Sequence, residues 1–352
     1  MSAYSELTPI IVLTGFLGSG KTTLLNRLLK HPALGDAAVL INEFGEVGID
    51  HQLVEAVDES TVLLSSGCLC CTIRDDLKQA IMEIHDKRAR GIVPPYRRVI
   101  VETTGLADPA PILATLMNDV SLRHHYRLGT IITTVDAVNG LDQLERQEEP
   151  RKQAAVADRI VLTKTDIAEP EAVEALRHRL EQINPSAEFL IGQHGAVDVE
   201  RVLRADVYDA AAKGGEVLRW IEAEAAASHA HAGHGHDVNR HDASIHAFCL
   251  IHDEPIDWTV FGIWLTMLLH THGEHILRVK GLLNVEGADT PVVINGVQHI
   301  IHPPIHLDAW PDESRQSRVV FIVRGLERAL IEESLAVFNR LGGGAPQSSK
   351  AA

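Results

Sequence analysis

Two short stretches carry residue types whose spacing could do chemistry. Gly15-Phe-Leu-Gly18-Ser19-Gly20-Lys21-Thr22 fits the pattern G-x-x-x-x-G-K-[ST] in full, and Cys68-Leu-Cys70-Cys71 places three of the chain's four cysteines within four positions. The first reads as a phosphate cradle, or P-loop. Gly15, Gly18 and Gly20 let the backbone curl so that successive N–H groups face an anion, and the helix that follows adds the partial positive charge of its N-terminus. Lys21 has the reach for β and γ phosphates, and the Thr22 hydroxyl suits Mg²⁺. Ser19 and Thr23 complete this group of expected nucleotide contacts. The second stretch offers thiolates to a soft or borderline cation such as Zn²⁺, Co²⁺ or Cu⁺. A structural zinc site closes its shell with four protein ligands, whereas this motif supplies at most three and so suits a metal that arrives and leaves. Buried or redox-active cysteines are the alternative reading.

A P-loop needs a carboxylate at the end of a neighbouring strand, and Arg98-Val-Ile-Val-Glu102-Thr-Thr-Gly105 supplies one. Glu102 is the expected partner of the magnesium, with Gly105 placed to sense a γ-phosphate. Lys21, Thr22 and Glu102 form the expected catalytic group. Base choice falls to Thr163-Lys164-Thr165-Asp166: a carboxylate there can accept both N1–H and N2–H of guanine, whereas adenine has no such pair. The Lys164 stem can lie along the base. Thr163 is a departure, because the commoner form of this motif begins with asparagine. Asn42-Glu43-Phe-Gly-Glu46 lies where a nucleotide-sensing loop is expected, and Glu43 or Glu46 could close the metal shell or respond to the γ-phosphate. A solvated acidic loop is equally compatible.

The elements that must position these residues are legible as short apolar runs. Strands are expected at 9–14, 37–41, 61–64, 98–101, 130–135, 159–162 and 188–191, with helices at 22–30, 75–88 and 171–183. Continuous apolar strands alternating with amphipathic helices indicate an α/β fold with a doubly wound, mostly parallel sheet. We assign residues 1–215 to this P-loop domain. Residues 225–243 are rich in Ala, Gly and His, with His229, His231, His234 and His236 alternating with small residues, and read as a flexible linker with metal affinity either weak or incidental. An apolar pattern resumes in 244–342, where strands near 245–251, 276–284, 291–297 and 318–323 and helices at 258–269 and 326–341 indicate a smaller α+β domain. The histidines at 270, 272 and 275 and at 299, 302 and 306 are each more compatible with packing or surface roles than with ligation. The tail beyond Leu341 is expected to be disordered.

Composition excludes several classes. Three clustered cysteines cannot close disulfide loops, which points to a reducing compartment. The start, MSAYSELTPI, has neither the basic nor the apolar region of a signal peptide, and no apolar run reaches the roughly 18 residues of a membrane span. A cytoplasmic protein without a membrane partner is expected. A formal net charge of −16 argues against a nucleic acid partner.

Taken in order, the P-loop, Cys68-x-Cys70-Cys71, Glu102-Thr-Thr-Gly-Leu-Ala-Asp-Pro109 and Thr163-Lys-Thr-Asp166 resemble the CobW family of P-loop GTPases. The likeness continues through Ile276-Leu-Arg-Val-Lys280-Gly and Arg318-Val-Val-Phe-Ile322, so it spans nearly the whole chain. The resemblance implies a GTP-dependent metal chaperone or insertase. Gly15 to Thr22, Lys164 and Asp166 would bind Mg²⁺-GTP, the three cysteines would carry the transferred metal, and a client metalloprotein would receive it. Zinc is favoured by the abundance of histidine; cobalt or iron insertion for cobalamin synthesis or nitrile hydratase maturation stays open. A GTP-regulated metal sensor or store also stays open, as does a nucleotide-dependent homodimer. An ATP-using small-molecule kinase on the same fold is disfavoured by Asp166.

Overall fold

The run Pro-Ile-Ile-Val-Leu has no polar alternation, so a strand formed from it must be covered on both faces. It forms β1 (Thr8–Gly15), buried from Ile10 onward. In the computed structural model the described residues are 6–42, 62–66, 73–192, 197–203 and 245–341. The chain divides into two units, 1–227 and 228–352.

In the first unit β1 leads into α1 (Lys21–Leu29), a 3₁₀ turn (Pro32–Leu34), β2 (Ala37–Asn42), β3 (Val62–Ser66), α2 (Ile73–Ala89) and β4 (Arg98–Glu102). Then follow α3 (Pro109–Asn118), α4 (Val120–Arg123), β5 (Tyr126–Asp136), α5 (Gly140–Arg146), α6 (Glu149–Val156), β6 (Arg159–Thr163), α7 (Pro170–Ile183), β7 (Glu188–Gly192) and α8 (Val199–Leu203). Among the described residues the seven strands form one sheet in the order β3-β2-β4-β1-β5-β6-β7, and every pairing is parallel. The chain leaves β1 for β2 on one side and grows outward from β5 on the other. Such a reversal opens a crevice at the carboxyl ends of the strands, the usual ligand position in an open α/β sheet. Leucines 24, 25, 28 and 29 recur on one stripe of α1 and pack with Ile11, Leu13, Val39, Ile100 and Val161 of the sheet. That burial seats the phosphate loop firmly, because each buried leucine is worth about 1.5–3 kcal/mol. The parallel α/β architecture expected for this region is present.

The second unit contains β8 (Ile245–His252), α9 (Trp258–His272), β9 (Ile276–Leu283), β10 (Val292–Val297), β11 (Ile300–Ile301), β12 (Ile305–His306), β13 (Ser317–Arg324) and α10 (Arg328–Leu341). Its strands run antiparallel in the order β11-β10-β9-β13-β8, with β12 on β10. Asp257 caps α9 by accepting from Thr259 N and Val260 N at 2.8 and 3.0 Å. Trp264, 1% exposed, packs with Phe261 and Phe321, and its indole N–H donates to Ser334 Oγ at 2.9 Å, tying α9 to α10. This is the α+β arrangement that the apolar pattern indicates. Among the described residues no helix is long and apolar enough to cross a membrane.

Candidate functional site at the carboxyl edge of the parallel sheet

The register of the sheet gathers the chemistry. Leu13 of β1 stands opposite Glu102 of β4, Gly15 opposite Thr134 of β5, and Asp136 of β5 opposite Thr163 of β6. Four strands thus deliver the phosphate loop, a carboxylate and the 163–166 turn to one edge.

Gly15 leaves the strand at φ 143°, and a Cβ there would collide with the Thr134 hydroxyl and carbonyl oxygens. Only glycine lets the loop lie this close to β5. Ser19 is fully buried and shares a hydrogen bond of 2.6 Å with Thr134 Oγ1, which fixes the far side of the loop. Lys21, 9% exposed, donates to Gly15 O at 2.8 Å and Phe16 O at 3.1 Å, so its ammonium lies over the loop it would neutralise phosphate in. Gly18 and Gly20 take the left-handed values of 71° and 88° that the curl requires. Thr23 is exposed on the first turn of α1.

The Thr22 hydroxyl donates to Glu102 Oε1 at 2.9 Å across the gap between β1 and β4. A hydroxyl and a carboxylate at that spacing are hard oxygen donors of the kind Mg²⁺ takes, so Thr22 and Glu102 would hold it. After Glu102 the loop turns back on the sheet: Thr103 N donates to Leu13 O at 2.9 Å, and Thr103 Oγ1 to Thr14 Oγ1 at 2.9 Å. Gly105 lies against the phosphate loop itself. A Cβ on it would stand 2.7 Å from Leu17 N.

Thr163 answers its own departure from the asparagine form. Its hydroxyl donates to Ser19 O at 2.7 Å, so β6 is tied directly to the phosphate loop. Lys164 then adopts φ 58° and places its ammonium 2.7 Å from Asp136 Oδ2. Asp166 follows on the same turn and is exposed. Asp136 is 1% exposed and accepts from Lys164, Asn139 Nδ2 at 2.9 Å and Val138 N at 2.9 Å. Burial pushes its carboxyl upward, but these donors outweigh burial and hold it below the usual carboxylate range.

Two contributors escaped the sequence reading. Asp136 ends an apolar run as Glu102 does, so a signal was present. Gln153 had none; its role is visible only in its contacts with Gly105 O and Ala107 O at 3.2 and 3.1 Å. Cys68, Cys70, Cys71, Glu43, Glu46 and His229, His231, His234 and His236 lie outside the described residues. Among the described residues no group of three or more His, Cys, Asp or Glu side chains could hold a metal ion. His275 Nδ1 is instead 3.0 Å from Arg324 O and His299 Nδ1 2.9 Å from Leu269 O, both exposed rings that hold backbone carbonyls.

Sheet, phosphate loop and the opposed carboxylate define a P-loop nucleotide-binding protein. Residues 9–191 match the model of the CobW/HypB/UreG nucleotide-binding domain, and residues 245–339 that of the cobalamin synthesis protein cobW C-terminal domain. The chain belongs to the CobW/HypB/UreG family. It is 32% identical over 318 residues to the zinc chaperone YjiA of Escherichia coli (strain K12), covering 90% of this chain and 94% of that protein. It is 27% identical over 359 residues to the zinc chaperone CobW of Pseudomonas aeruginosa, covering 93% and 90%. Among solved structures, the Zn(II)-bound YjiA GTPase from E. coli superimposes with a TM-score of 0.68 at 27% identity, covering 94% of this chain and 99% of that one.

Proposed function

We propose that this protein is a cytoplasmic GTP-hydrolysing metal chaperone that carries zinc on Cys68, Cys70 and Cys71, with Glu46 as a further ligand, and hands it to a client metalloprotein. The observation that carries the nucleotide half is the convergence on one sheet edge of Lys21 over its loop, Thr22 on Glu102 and the Thr163–Asp166 turn on Ser19. Family membership and relatives named as zinc chaperones support the metal half.

In this reading the backbone from Gly15 to Thr23 wraps the phosphates and Lys21 neutralises their charge as it develops. Thr22 and Glu102 would hold a magnesium ion, which would supply positive charge to offset that of the phosphates. Gly105 reads the γ-phosphate, and Lys164 and Asp166 select guanine. Zinc is the cargo, and three thiolates leave it an exchangeable position. The P-loop domain comprises 1–215, the histidine-rich linker 225–243 and the C-terminal domain 244–342; a homodimer formed with nucleotide is part of the same reading.

The test is steady-state hydrolysis of GTP and ATP by the full chain and by Lys21→Ala. GTP should be preferred by at least about tenfold, because the wrong base leaves hydrogen-bonding groups of the site unpaired. Lys21→Ala should lose turnover while its thermal unfolding stays close to that of the unaltered protein. Equal use of both nucleotides would contradict the assignment.

A further inference from the structure

We propose that Gln153, on α6, is a positioning residue that holds the γ-phosphate-reading loop in its working shape; the inference rests on the GTP-binding reading above. The loop 103–108 is pressed from the front by the phosphate loop, where Gly105 meets the Leu17 backbone. From behind it is gripped by α6. Gln153 is fully buried, and its amide donates to Gly105 O at 3.2 Å and Ala107 O at 3.1 Å. These are the two donors an amide nitrogen has, so the group is fully committed to the loop. Its own backbone carbonyl accepts from Thr133 Oγ1 at 2.8 Å, which anchors the helix to β5. The preceding residue adds a third grip: Lys152 Nζ is 2.9 Å from Asp108 Oδ2, while Asp108 Oδ1 caps α3 through Ala110 N at 2.9 Å.

Among the described residues the amide oxygen of Gln153 finds no hydrogen-bond partner. A buried acceptor left unpaired is costly, and a methionine of similar volume would fill the space without that cost. The fold therefore retains an expensive group whose bonds all go to the loop that carries Gly105. GDP has no γ-phosphate for that loop to read. Loosening the grip should therefore weaken GTP and spare GDP.

The experiment is binding of a non-hydrolysable GTP analogue and of GDP, with Mg²⁺, to the full chain and to Gln153→Met. Affinity for the analogue should fall at least about tenfold, with GDP changed less than about twofold, since only the two loop carbonyls lose a donor. Equal losses for both nucleotides, or no loss, would overturn the proposal and mark Gln153 as a packing residue. If Gln153→Met fails to unfold cooperatively or to bind GDP, Lys152→Met decides: its side chain is 18% exposed, and its loss breaks the Asp108 contact and the 3.3 Å contact to Glu148 one turn before it, while leaving Gln153 in place. It should lower analogue affinity selectively by about threefold, within the range of a partly exposed ion pair, and an unchanged ratio would overturn the proposal. An unaltered protein that binds neither nucleotide would reject the GTP reading itself, and this inference with it.

Discussion

Thr163 shows how a single hydroxyl can secure a turn: its 2.7 Å bond to Ser19 O joins the 163–166 turn to the Gly15–Thr22 loop. The next residue depends on a carboxylate that no motif names. Asp136 holds Lys164, and its folded-state pKa lies below the ordinary 3.8. A depressed carboxyl contributes stability in full above its unfolded value and loses it as pH falls through that value toward the folded one. Asp136→Asn should therefore flatten the loss of stability below about pH 4, measured by denaturant titration across pH. The same variant should weaken GTP about threefold to tenfold and narrow the preference over ATP; Lys164 is itself 36% exposed, so the pair is partly screened. An unchanged acid limb together with unchanged GTP affinity would remove Asp136 from the account. At this scale the sequence was readable where residue types are unusual together, as at Gly15–Thr22. It was silent at Gln153, because a buried glutamine has no spacing rule and acquires its role only through tertiary contact.

The elements behave as their apolar runs dictate, with instructive exceptions. The strand expected at 130–135 begins at Tyr126, four residues earlier. Arg127 and Gly129 interrupt the apolar run, yet Arg127 is only 6% exposed, because neighbouring strands override its polarity. Helix α6 has no legible sequence signal. Apart from Pro150, its buried residues Gln153, Ala154, Ala155 and Val156 are consecutive and mostly small, so they give no clear 3.6-residue stripe. β11 and β12, two residues each, are too short for any periodic signal. Helix α1 is the opposite case. Leu25 is fully buried on its stripe, and Leu25→Ala should cost about 2–5 kcal/mol in denaturant unfolding. In the proposed reading the phosphate contacts come from the loop and the first turn of α1, not from Leu25, so GTP turnover per folded molecule should stay near its original value. A loss of stability below about 1 kcal/mol would show that α1 is not what seats the loop.

For the whole molecule the claim is that nucleotide and metal bind one another's preferred state. The cysteines fall in sequence between β3 and α2, and β3 belongs to the sheet whose carboxyl edge carries Lys21, Glu102 and Gly105. Loops at that edge converge on the ligand position of an open α/β fold. Proximity becomes coupling only if zinc favours one nucleotide state, and linkage then makes the effect reciprocal. Family and fold were readable from motif order across 352 residues; the metal shell was read only as residue types, because ligation depends on where loops bring side chains together. The most direct measurement is the Zn²⁺ affinity of the full chain with a non-hydrolysable GTP analogue, with GDP and without nucleotide, repeated on Cys70→Ser. The analogue should tighten zinc by about 5- to 150-fold, GDP much less, and Cys70→Ser should abolish the difference. Identical zinc affinities in all three nucleotide states would contradict the chaperone mechanism.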